Sequence, residues 1–234
     1  VIAALSVANL YYNQPLLNQI SKDLAVSEFT ANLIPMTTQL GYAMGLLFII
    51  PLGDLYERRT IITVNFLLLA FFMCAIAISP DIHYVLAASV ITGICSVMPQ
   101  IFIPIASQFS HPDHKARNVG ILVSGLLTGI LGSRVISGIV GEYWGWRTMY
   151  YIASALMICC LFIVRKTLPE MPSNFKGTYK GLMSSLLKLF ASLPAIRIVS
   201  IRAALCFGSF LTLWACLAFK LSGAPFYAGN NIIG

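Results

Sequence analysis

Residues 61–79 read IITVNFLLLAFFMCAIAIS, an unbroken apolar run that contains no Asp, Glu, Lys or Arg. A helix rises about 1.5 Å per residue, so a run of this length covers about 30 Å, the thickness of a bilayer's hydrocarbon core. Its ends are marked as sharply as its middle: Arg58-Arg59 precede it and Ser79-Pro80-Asp81 follow it as a turn. A helix that is apolar all round and bounded by charge at both ends is the pattern of a membrane span.

The same template, moved outward along the chain, finds seven spans. They cover Val1–Ile20, Phe29–Leu52, Ile61–Ser79, Tyr84–Gln108, Val119–Val140, Met149–Val164 and Val199–Phe219. Residues Phe226–Gly234 would open an eighth, so the chain reads as part of a longer protein. Further turns are expected at His111-Pro112-Asp113-His114 and Pro169-Glu170-Met171-Pro172. Composition agrees: 58% of the 234 residues are apolar and only 10% charged, against about 25% charged in a soluble domain. The expected fold is an all-α membrane protein, a bundle of transmembrane helices.

The net charge of +7 does not point to nucleic acid, because the basic residues fall in short clusters between apolar runs. Arg58, Arg59, Lys115, Arg117, Arg165, Lys166, Lys176, Lys180, Lys188 and Arg197 lie in the loops after spans two, four and six. Only Lys22, Arg147 and Lys220 lie in loops on the other side. The positive-inside rule then puts the N-terminus and the basic loops in the cytoplasm. The longest loop, Arg165–Ile198, is the natural boundary between a first bundle (1–165) and the start of a second (199–234). Within that loop (166–198), Leu182, Leu186, Leu189, Phe190 and Leu193 recur at helical spacing, which suits a helix lying on the inner membrane surface. The six cysteines sit in apolar runs without a C-x-x-C pair and are expected to be buried, inert thiols. No nucleotide loop, zinc pattern or Ser/His/Asp set occurs in the sequence, so neither an enzyme nor a bound cofactor is expected.

Between spans two and three the chain reads Pro51-Leu52-Gly53-Asp54-Leu55-Tyr56-Glu57-Arg58-Arg59. A carboxylate where a helix leaves the bilayer, followed by two arginines, can latch neighbouring helix ends in one conformation and release them in another. This segment resembles the loop signature of the major facilitator superfamily, G-x-L-a-D-R-x-G-R-R, with Leu52, Asp54, Arg58 and Arg59 in register. Ile50, Leu55 and Glu57 depart from it. Residues 9–17, NLYYNQPLL, are similar to the first span of a bacterial subgroup of that family, and Gly145-Trp146-Arg147 to its turn into span six. The resemblance implies twelve spans in two six-helix halves, of which this chain holds the first half and the start of the second. The missing C-terminal half then belongs to the same chain. Ser89 stands where the family carries an Arg in span four, and the Gly-Pro antiporter motif of span five is absent.

Polar side chains in hydrocarbon are costly and face a bundle interior or a water-filled cavity. Asn9, Tyr12 and Asn13 fall at i, i+3 and i+4, on one face of span one if it is a regular helix, with Tyr11 and Gln14 beside Pro15. Span four pairs Pro99 with Gln100, and span two carries Gln39. Interrupted helices at corresponding places of inverted repeats are where transporter sites lie, and spans one and four are such counterparts. Asn9, Tyr12, Asn13, Gln39 and Gln100 are therefore candidate substrate contacts; static bonding between helices is the structural alternative. Glycine pairs at Gly41/Gly45 and Gly125/Gly129 suit close helix approach, with Gly132 continuing the second row.

Arg134 completes the candidate set. It lies about 16 residues into span five, roughly 24 Å from that span's basic end. A charge there costs on the order of 2.5–3.5 kcal/mol on insertion scales. No Asp or Glu occurs in the middle of any of the seven spans. The arginine could meet an anionic or carbonyl-rich substrate, pair with a helix outside this chain, or snorkel toward the outer interface.

The reading is a secondary active transporter of a small solute, working by alternating access in the cell's inner membrane; proton-coupled efflux is one form of it. Its partners are that solute and the lipid bilayer. The competing class is a truncated, inactive protein or a sensor-like membrane protein that transports nothing.

Overall fold

The computed structural model describes residues 1–168 and 177–222. Twelve α-helices occur among these residues, and no strand. They are α1 (Ile2–Ala8), α2 (Leu17–Asp23), α3 (Glu28–Ala31), α4 (Leu33–Phe48), α5 (Leu52–Leu55) and α6 (Arg58–Ile78). There follow α7 (Ile82–Cys95), α8 (Met98–Phe109), α9 (Lys115–Trp144), α10 (Trp146–Thr167), α11 (Tyr179–Ser192) and α12 (Pro194–Ser222). Five helical segments are long and apolar enough to cross a membrane: Glu28–Leu55, Arg58–Ile78, Ile82–Phe109, Pro112–Trp144 and Trp146–Thr167. These are expected spans two to six, and spans five and six extend several residues beyond their expected ends.

Span one departs from the expected regular helix. It breaks into α1, a turn over residues 9–13, a 3-10 turn at Gln14–Leu16, and α2. Pro15 sits in the 3-10 turn, where its ring lacks the amide needed to continue an α-helix. Span four breaks in the same manner at Ser96–Val97, with Pro99 in the first turn of α8, where a missing N–H is tolerated. The expected counterparts are thus both interrupted. The seventh segment starts earlier than expected, at Pro194, after a 93° bend between α11 and the described part of α12. The turn at 169–172, Lys176 and residues 226–234 lie outside the described residues.

Glycines decide how the spans meet. A Cβ on Gly41 would overlap the carbonyl oxygen of Val90, one on Gly45 that of Ile94, and one on Gly93 that of Thr38. Spans two and four therefore touch backbone to backbone, as the Gly41/Gly45 pair leads one to expect. The second row is used only in part: Gly129 faces the backbone of Ala4, while Gly125 and Gly132 have open space beside them. Spans three and six are joined by Ser154, whose hydroxyl donates to the carbonyl of Ala70 at 2.7 Å. Gly145, between α9 and α10, has φ +81°, a backbone region that costs other residues steric strain.

Two large apolar cores and a small third one, Val7 with Leu10 and Tyr11, fill the bundle. One, around Leu16, Ile20, Met73, Val85, Trp146 and Met149, lies toward the end carrying Asp81 and Gly145. The other, around Ile62, Phe66, Met98, Ile101, Met157 and Val164, lies toward the end carrying the basic loops. The cysteines only partly follow expectation. Cys95 and Cys160 are buried, whereas Cys159 and Cys206 are exposed on flanks that a membrane protein turns to lipid.

Candidate functional site

The break in span one splits the candidate face. A regular helix would hold Asn9, Tyr12 and Asn13 on one side, but beyond Ala8 the chain is a turn, and Asn13 parts from the other two. The Asn9 amide donates to Sδ of Met157 in α10 at 3.1 Å and to its own Ser6 carbonyl at 3.3 Å. Tyr12 is buried in the apolar core with Leu16, Met73 and Tyr150. Asn13 donates instead to Thr38 Oγ1 of α4 at 3.4 Å. These three bind span one to spans six and two.

Tyr11, between them, faces the other way. It lies against Arg134, Gln39 and Tyr42, and the Arg134 guanidinium carbon sits 5.4 Å from its ring centroid. Arg134 is only 2% exposed, so its side chain turns into the bundle and does not snorkel along the lipid face. A guanidinium over an aromatic face gains about 0.5–2 kcal/mol, the upper end when water is excluded. From Tyr42 the polar chain runs on to Gln100, whose amide donates to the Tyr42 hydroxyl at 3.2 Å. Gln39 and Tyr42 are half-buried and Gln100 is exposed. Arg134, Tyr11, Gln39, Tyr42 and Gln100 thus form one polar path from the interior to the bundle's flank, beside the breaks in spans one and four. Sequence reasoning missed Tyr42. A tyrosine between Gly41 and Gly45, three residues before the latter, in an otherwise apolar helix was the available signal.

At the basic end, Arg58 gathers three groups. Its Nε donates to the Gly53 carbonyl at 3.2 Å, Nη1 to Gln108 Oε1 at 3.1 Å, and Nη2 to Asp54 Oδ1 at 3.4 Å. Arg59 donates to the carbonyl of Arg165, in the last turn of α10, where helix carbonyls lack internal partners. The cluster therefore ties the ends of spans two, three, four and six. Asp54 is half-exposed whereas the Arg58 side chain is largely covered, at 53% and 15%. The arginine, more than the carboxylate, holds the helices together. Asp54→Asn is expected to cost under about 1 kcal/mol of stability, as exposed pairs do, while slowing turnover. Arg58→Ala is expected to cost about 1–3 kcal/mol. Thermal unfolding and turnover of the intact protein check both. An unchanged turnover in Asp54→Asn would leave the loop a topology signal only.

The opposite end has its own cluster, which sequence reading did not foresee. Arg147 pairs with Asp23, stacks on Trp146 at 4.3 Å, and donates to the Ser79 carbonyl at 3.1 Å. Trp146 Nε1 also donates to Asp23 at 3.1 Å. Gln19 reaches the Gly141 carbonyl at 2.8 Å. The ends of spans one, three, five and six that lie opposite the basic loops are fastened together by these bonds.

A bundle of membrane-crossing helices, two of them interrupted in mid-course beside buried polar side chains, has the architecture of a membrane transporter. Comparison with known proteins gives the family. The family model described as Major Facilitator Superfamily matches residues 1–233, and the chain belongs to that family. It is 37% identical over 234 residues to the uncharacterized transporter YgaY of Escherichia coli O157:H7. It is 28% identical over 224 residues, 96% of this chain and 52% of the relative, to a probable transporter of Streptomyces coelicolor. The YgaY match takes in 100% of this chain and 59% of the relative, so the chain spans little more than half the length of these relatives. Among solved structures, the peptide transporter POT in complex with sulfate is similar in fold, with a TM-score of 0.63 at 17% identity. That match covers 94% of this chain and 49% of the other.

Proposed function

We propose that these residues form the first six-helix half, and the opening of the second, of a secondary active transporter that moves a small solute by alternating access. The observation that carries this reading is the polar path from Arg134 through Tyr11, Gln39 and Tyr42 to Gln100, set beside two broken spans. Helices interrupted at corresponding places of two repeats are where transporter sites lie. A buried guanidinium beside amides and phenols suits a solute with an anionic or carbonyl-rich group. Asp54, Arg58 and Arg59 serve as the latch on the cytoplasmic side, with Asn9, Tyr12 and Asn13 supporting the site from behind.

The protein sits in the inner membrane with the basic loops inside, following their Lys/Arg excess. The cycle needs no cofactor and breaks no bond, so the protein is not an enzyme. The test is counterflow in proteoliposomes holding the intact protein, using labelled small anions, zwitterions and neutral solutes with and without an imposed pH gradient. Saturable, protein-dependent exchange of one class is expected, and a response to the gradient identifies proton coupling. No exchange for any class would count against a transporter.

A further inference from the structure

The loop helix α11 has two unlike faces. Leu182, Leu186, Leu189 and Phe190 lie on one arc, spaced by three and four residues, with Leu193 just past the helix end, while Lys180, Ser184 and Lys188 recur every fourth residue on another, which also carries Leu187. Only Leu182 of the apolar arc is buried; Leu186, Leu189, Phe190 and Leu193 are each 40–47% exposed. The first turn of α11 is docked, since the Tyr179 hydroxyl donates to the Phe48 carbonyl at the end of α4, at the level of the basic loops. The 93° bend at its other end sets α11 across the direction of α12.

A helix that crosses the direction of a span, at the level where spans end, lies along the membrane surface. There its apolar arc meets the acyl boundary and its polar arc the headgroups. Lys180 and Lys188, with Arg197 in the first turn of α12, give that level a positive charge; α11 carries no Asp or Glu. We infer that α11 is a lipid-reading strap, seated by its apolar arc in the bilayer surface and held there by anionic headgroups on Lys180 and Lys188. This inference is independent of solute transport. A lysine near an anionic surface strengthens seating roughly five-fold, and more weakly as salt rises.

The test uses the intact protein with its native cysteines replaced and a single environment-sensitive fluorophore attached through Phe190→Cys or Ser192→Cys. It is reconstituted in phosphatidylcholine alone or in an equal mixture with phosphatidylglycerol, each containing lipids with quenchers on the acyl chain. The label at 190 is expected to be quenched and that at 192 spared, with quenching at 190 stronger in the anionic mixture. Lys180→Gln with Lys188→Gln should remove the difference between the two mixtures. Absence of quenching at 190 would mean that protein covers the apolar arc, and would overturn the inference. Equal quenching in both mixtures would overturn the role of anionic headgroups. Because the readout is depth and not uptake, either failure leaves the transport reading standing.

Discussion

Gly93→Leu is expected to prevent the intact protein from reaching its folded state, the largest effect of any single change in this bundle. A Cβ at residue 93 already overlaps the Thr38 carbonyl and comes within 2.8 Å of the Tyr42 amide nitrogen. Both are main-chain atoms of α4, so no rotamer change can clear them, and the two spans must part along their whole contact. Overpacking against side chains costs about 1–3 kcal/mol; displacing a backbone loses the packing around it as well. Membrane helices attract one another chiefly through such close contact, so little remains to hold spans two and four together. Gly93→Ala should lower the thermal midpoint clearly and Gly93→Leu should abolish folded yield. Gly125→Ala and Gly132→Ala, with open space at both positions, should change neither. A Gly93→Leu protein that melts like its parent would refute the packing described.

Arg134→Gln should weaken solute binding about ten- to a hundred-fold while the protein still inserts and folds. The guanidinium is buried against Tyr11, deep in span five, and is the positive end of the polar path to Gln100. A hydrogen bond to a charged group contributes about 1.5–3 kcal/mol, so losing this one weakens binding about ten- to a hundred-fold. Arg134→Lys keeps the charge but loses the planar fork and its stacking on Tyr11, and should retain weak binding. Counterflow affinity measured beside thermal stability separates site from scaffold. Normal affinity in Arg134→Gln would remove Arg134 from the site. Rescue of that variant by neutralising an acid elsewhere in the intact protein would make it half of an ion pair instead.

The fold was legible because hydrocarbon tolerates so few sequences: the run at 61–79 became α6 almost residue for residue. The Gly41/Gly45 pair was equally plain, since close approach leaves no room for a side chain. What could not be read was direction inside span one. Spacing of i, i+3 and i+4 holds one face only in a continuous helix, and Pro15 with the turn at 9–13 interrupts span one. Asn9 and Tyr12 therefore pack toward span six, Asn13 toward span two, and Tyr11 alone toward Arg134. Asp23 and Arg147 lie 124 positions apart, so their pairing needed the three-dimensional arrangement.

Solvent access to residue 100 tests alternating access without knowing the solute. Gln100 ends the polar path on the bundle's exposed flank, beside the break in span four. In the intact protein, with native cysteines replaced, Gln100→Cys should react with a membrane-impermeant thiol reagent applied to either face of the membrane. Under the same conditions a cysteine at Lys115 should react from the cytoplasmic face alone. Labelling of residue 100 from both faces is the result expected of a site opened to each side in turn; labelling from one face only, or from neither, would contradict it.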